Sequence, residues 1–169
     1  MAEIKRLLIL IISFALLFSA FGCGKKSAGA KEILDEILKD FSILPTGDFY
    51  LAGAEEGGEN YLSSDMIKTL YGDEAESDAF EAVEDFAIFL SSRVFPFEVA
   101  VFRCVSASEA ARVYLMCKNR AELLGVLLRG TEFASLAEDI FVIKSQNFVV
   151  MGVSDKPDLL EKAIKDALD

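Results

Sequence analysis

Histidine and tryptophan are both missing from this 169-residue chain. Without an imidazole there is no Ser-His-Asp triad and no Cys-His nucleophile pair. Zinc sites that use histidine are excluded as well. A hydrolase built on this sequence would have to work with carboxylates, lysine or tyrosine. Cysteine is scarce: Cys23, Cys104 and Cys117 are the full set. Basic residues are outnumbered, 17 Lys and Arg against 28 Asp and Glu, for a formal charge of −11. Such a chain repels nucleic-acid phosphates, so nucleic acid is not an expected partner. The acidity favours solubility and carries no information about fold.

Apolar residues concentrate first near the start. Lys5 and Arg6 precede a run from Leu7 to Phe21 that is broken only by Ser13 and Ser19. A helix of that length spans about 22 Å. It falls short of the roughly 20 residues that cross a bilayer and suits a signal-peptide core. Small residues then lead to a single cysteine through Ser19-Ala20-Phe21-Gly22-Cys23.

This stretch resembles the lipobox of bacterial lipoproteins. The resemblance implies a signal peptide over residues 1–22, cleavage after Gly22, and lipidation of Cys23 as the new N-terminus. Ala20 stands where that family most often has Leu. A diacylglyceryl group carries two chains, which anchor stably where one is marginal. The expected location is the extracytoplasmic face of the cell membrane, with the membrane itself a partner through Cys23. An uncleaved membrane helix, or a secretory signal with an incidental cysteine, are the alternatives. Loss of residues 1–22 removes Lys5, Arg6 and Glu3, leaving 15 basic and 27 acidic residues and a charge of −12.

Residues 23–30 read as the lipidated cysteine and a tether, and residues 31–169 as a single domain large enough to bury a core. Ile33, Leu34, Ile37, Leu38 and Phe41 predict an amphipathic helix over 31–41, with Asp35 and Lys39 as an i,i+4 pair. Its mixed outer face favours packing on its own domain over lying on the membrane. Pro45 to Asp48 form a turn, and Phe49 to Leu51 a short strand. Ser63 or Ser64 caps a helix that Gly72 ends. Asp73, Glu74, Glu76 and Asp78 follow. Calcium-loop spacing fails there, because Ala75 and Asp78 fall where an oxygen ligand and a glycine are needed.

Phe86 to Leu90 and Phe97 to Val105 predict a hairpin. Both runs are nearly continuously apolar, which suggests a sheet covered on much of both faces. Ser106 or Ser108 opens a long helix that buries Ala110, Val113, Tyr114, Cys117, Ala121, Leu124 and Leu128. Gly125 costs about 1 kcal/mol inside it and marks a kink or an end, and Gly130 a stop. Residues 131–138 connect to strands at 140–143 and 148–151. A last helix starts near Asp155 to Pro157. The fold class expected is α+β. It has a mainly antiparallel sheet of four or five strands with packed helices, arranged as two ββα units after N-terminal helices. Helical rise carries Cys117 past Cys104, so both thiols are expected to stay free.

The domain also resembles an uncharacterised family of small bacterial lipoproteins catalogued as domain of unknown function 4358. The residues that carry the resemblance are Cys23, Leu70-Tyr71-Gly72 with the acidic residues after it, and Glu98-Val-Ala-Val-Phe102. The helix through Arg120 and Asn147-Phe-Val-Val-Met-Gly-Val153 complete the set. The resemblance implies an envelope location and one small domain, and it adds no catalytic residue.

Glu98 interrupts an apolar strand. It is a candidate general acid or base, with Asp85, Glu109 or Asp139 as its second carboxylate, or else the partner of a Lys or Arg at a sheet edge. Arg103 and Arg120 are candidates to hold an anionic ligand, since Arg suits bidentate carboxylate recognition. An ion pair with a nearby acid is the simpler role for Arg103. No cofactor or metal is implied. The function expected is that of a lipid-anchored, non-catalytic module that binds an envelope protein or a small ligand. A carboxylate-dependent, cell-wall-active hydrolase is the alternative.

Overall fold

The structure, a computed structural model, describes residues 28–72, 78–92 and 95–169. The signal segment, Cys23 and the acidic residues Asp73, Glu74 and Glu76 lie outside the described residues. The fold is α+β. In chain order the elements are α1 (Ala30–Leu38), β1 (Gly47–Leu51), α2 (Ser64–Tyr71), β2 (Val83–Ser91), β3 (Glu98–Cys104), α3 (Ala110–Arg129), β4 (Phe141–Ser145), β5 (Phe148–Val153) and α4 (Pro157–Leu168). Short 3-10 turns cover Asp78–Ala82 and Ala134–Glu138.

The five strands form one antiparallel sheet in the order β1-β2-β3-β5-β4. Side chains alternate across it, and both faces are apolar. Ile88, Ala100, Phe102, Cys104, Val149 and Met151 point to α3, α2 and the first 3-10 turn. Ala87, Phe89, Val99, Val101 and Val150 point to α1 and α4. Among the described residues the clusters run from Ala30 to Leu168. The two ββα units keep their order, but α3 and α4 pack on opposite faces of the sheet.

Several local expectations shift. The first helix stops at Leu38, and Phe41 beyond it is buried edge-on against Phe97 with ring centroids 5.1 Å apart. Asp35 pairs with Lys31 at 2.6 Å, and Lys39 with Glu36, in place of the Asp35–Lys39 pair. The apolar face of α1 is buried in the domain. Ser63 caps α2 by accepting the Met66 N–H. Ser106 accepts the Glu109 N–H just ahead of α3.

The long helix neither kinks out nor ends at Gly125 but runs to Arg129. Gly125 is buried where a Cβ would come within 3.3 Å of the Ala137 carbonyl oxygen. The glycine therefore lets the second 3-10 turn sit against the helix backbone. Tyr114 is only half-buried, while Met116 and Arg120 occupy the buried face. On the other side of the sheet, α4 rests on the β5 backbone at Gly152. A Cβ there would lie 2.9 Å from Leu160 Cδ2.

Candidate functional site: a groove over a buried ion pair

β3 is the middle strand, and its first residue, Glu98, points to the α3 face. Arg120 lies on the buried stripe of α3, one turn from Cys117 and Leu124. The two meet side-on. Arg120 Nη2 donates to Glu98 Oε2 at 2.8 Å and Nε donates to Oε1 at 3.4 Å. Both side chains are more than nine-tenths buried. Burial pushes the Arg120 guanidinium down, but the charge and hydrogen bonds of Glu98 more than offset this, so it is held above its ordinary value. Glu98 thus finds its arginine in the sheet centre and not at an edge.

The pair forms the floor of a groove of about 790 Å³ between the C-terminal half of α3 and the β2–β3 hairpin. Leu70, Leu90, Phe97, Leu124 and Val153 line its walls. At the rim, Phe95 from the hairpin meets Phe133 from the segment after α3, edge to face at 5.4 Å. On α3, exposed Leu127 also lines the groove, and Leu123 is exposed one turn before it.

Tyr71 lies behind the floor. Its ring packs edge-on against Phe102 at 5.6 Å, and its hydroxyl is buried without a hydrogen-bond partner among the described residues. Burial first, and then the charge of Glu98, push the phenol well above its ordinary value. An unsatisfied buried hydroxyl costs about 1–3 kcal/mol. We expect Tyr71→Phe to keep the fold and raise stability by about 1 kcal/mol, read as a rise of a few degrees in thermal midpoint. A fall of that size would show that the hydroxyl has a bonded partner.

The other candidates lie elsewhere. Arg103 sits five residues along β3 from Glu98, near the other end of the strand and on the α1 face. Its Nε lies 3.5 Å from Glu84 Oε2, and its Nη2 lies 3.9 Å from Asp85 Oδ2. Asp85 also accepts the Ala30 N–H at 2.8 Å and so fastens the start of α1. This is the ion-pair role, and it keeps Arg103 apart from Arg120. Glu109 pairs with Arg112 at 2.9 Å, and Asp139 does not line the groove. None of the three proposed second carboxylates stands beside Glu98. Among the described residues no cluster of metal-ligating side chains forms, and no helix is long and apolar enough to cross a membrane.

Cys104 and Cys117 are free and buried. Burial, with help from Glu109, pushes the Cys104 thiol up to about 11. Burial and then Glu98 push Cys117 well above the usual thiol value. Both thiols hold their protons more tightly folded than unfolded. The Cys104 contribution is complete below about pH 9, the unfolded value, and is lost as pH rises through about 11. Urea midpoints should therefore fall between pH 9 and 11. A flatter fall is expected in the Cys104→Ala/Cys117→Ala variant; an unchanged slope would assign it to other groups, such as Tyr71.

Sequence reasoning singled out Glu98 and Arg120 but not their union, and it missed the groove. A signal was available: Leu123 and Leu127, one turn apart, fall off the buried stripe of their own helix. A comparison with protein-family models, curated proteins and solved structures returned no match.

Proposed function

We propose that the chain is a lipid-anchored, non-catalytic binding module of the bacterial envelope. Diacylglyceryl Cys23 holds it at the extracytoplasmic face of the membrane, and the groove over Glu98 and Arg120 is its recognition site. The anchor rests on the sequence from Lys5 to Cys23 and on its resemblance to the lipobox. The family resemblance around Leu70-Tyr71-Gly72 and Asn147 to Val153 agrees with that location. The observation that carries the binding reading is the groove itself. It is apolar-walled, of ligand size, and continuous with exposed Leu127. Concave apolar sites with a few convergent polar groups are where small ligands bind, and exposed apolar patches mark contact surfaces.

A catalytic carboxylate must be able to gain and lose a proton at the substrate. Both oxygens of Glu98 instead accept hydrogen bonds from the Arg120 guanidinium, which holds the carboxylate in its charged form. In-cell photocrosslinking from position 127, compared between wild type and Cys23→Ala, tests the module. A defined adduct that depends on the anchor supports it. Zymography on residues 28–169 tests the hydrolase alternative. Clearing of cell-wall substrate that disappears in folded Glu98→Gln would overturn the non-catalytic reading.

A further inference from the structure

We infer that the groove takes a free, small, apolar molecule whose polar end is an uncharged hydrogen-bond acceptor, such as an acyl amide or ester. This deepens the binding reading above and rests on it. The groove's volume of about 790 Å³ lies in the range of small-molecule sites, roughly 300–1,000 Å³. Its walls are mainly apolar, with Ser91, Ser92, Thr131 and Glu132 among the other lining residues, and this selects a largely apolar body.

The floor selects the head. Arg120 and Glu98 neutralise each other while more than nine-tenths buried. The hydrogen bonds of Arg120 run from Nε and Nη2. Its Nη1 amino group makes none among the described residues, and the side chain lines the groove. A guanidinium carries five N–H donors and no acceptor, so the floor offers a donor. A carboxylate head would meet Glu98 beside Arg120, inside a strongly acidic domain, and lose most of the attraction. An ammonium head at the floor would meet the Arg120 guanidinium, a like charge that repels it. One carbonyl oxygen facing Nη1 satisfies a donor and brings no unpaired charge beside the buried pair.

The groove is also remote from the first described residues of the domain. The tether enters where the Ala30 N–H meets Asp85, level with Arg103. Glu98 is five residues away along β3, about 17 Å, and on the opposite face of the sheet. The groove therefore lies away from Ala30, where the described domain begins.

The test uses residues 28–169, which contain the whole core, with Nile red as an uncharged reporter. Decanamide, decanoate and decylammonium share a chain length and differ in head charge. We expect decanamide to displace the dye at least tenfold more effectively than either ion at pH 7. In Glu98→Gln the arginine loses its counter-charge, and the order should reverse in favour of decanoate. In Glu98→Leu/Arg120→Met the dye should still bind and the three heads should differ by less than about threefold. Sedimentation with phosphatidylcholine vesicles should leave the protein in the supernatant, and pelleting would overturn the choice of a free molecule. If no amphiphile displaces the dye while position 127 still crosslinks a protein in cells, this inference falls and the binding module stands. If decanoate wins in the wild type, the neutral-head assignment falls even where the variants fail to fold. If neither displacement nor crosslinking occurs, both readings fall.

Discussion

Arg120→Met should destabilise the domain by about 3–5 kcal/mol, the cost of leaving one member of a buried ion pair without the other. Glu98 is almost fully buried in the middle strand, where no other cation replaces Arg120 among the groove's described lining residues. The loss should appear as a large drop in urea midpoint with little change in slope. The pair itself need not be a net source of stability, because desolvating two charges offsets much of their attraction. Glu98→Leu/Arg120→Met should consequently recover most of the loss and return to within about 1–2 kcal/mol of wild type. The coupling between the two sites is the diagnostic quantity, and a double-mutant cycle isolates it. Additive single effects would mean that the pair is not formed in solution. Full recovery of stability with loss of head-group discrimination would place the pair's value in recognition.

Phe102→Ala should cost about 3–5 kcal/mol, as removal of a fully buried aromatic ring does. Phe102 is inaccessible to solvent, stands in the central strand, and meets both Tyr71 and Phe80 edge-on, at 5.6 and 5.7 Å. Its loss would empty the space between β3, α2 and the first 3-10 turn. The lost transfer energy and the cavity left behind both contribute. Phe102→Leu retains most of the volume and should cost less than half as much. The comparison, made by chemical denaturation, separates packing from mere hydrophobicity. Equal costs for Ala and Leu would point to the ring edges as the main contribution.

The long periodic segments were readable because an amphipathic helix states its buried face locally. Ala110, Val113, Cys117, Ala121 and Leu128 lie on the inner stripe of α3, as their spacing predicts. Arg120 shares that stripe, and a stripe rule built on apolar residues passes over it. The strands were readable as strands but not as faces. Val99, Val101, Ala100 and Phe102 are all apolar and all buried, so alternation in β3 leaves no trace in composition. Glu98 did stand out, because a charge inside such a run needs a partner. That partner is 22 residues further on, on another element, and only the packing of α3 over β3 brings it there. The groove was harder still. Its walls come from the ends of helices and strands and from the hairpin tip, where no periodicity operates. The adjacency of β3 and β5 belongs to the same class of fact, since nothing local in either strand names its neighbour.

That adjacency governs how the molecule can be made. Glu98 pairs with Val153 and Arg103 with Phe148, so the middle of the sheet joins segments about fifty residues apart. On one face, α1 packs against α4, the first helix against the last. Pairings this distant in the chain close slowly, because the loop entropy is lost before the contacts form. A growing or threading polypeptide can assemble the β2–β3 hairpin early. It must then wait with one edge of β3 open and the apolar side of α1 uncovered until the final hairpin and helix arrive. Open edges and bare apolar helices are what chaperones and proteases engage. A product cut short before Phe148 is therefore an unfinished sheet that betrays itself, and completeness of synthesis is a condition that this topology enforces on its own.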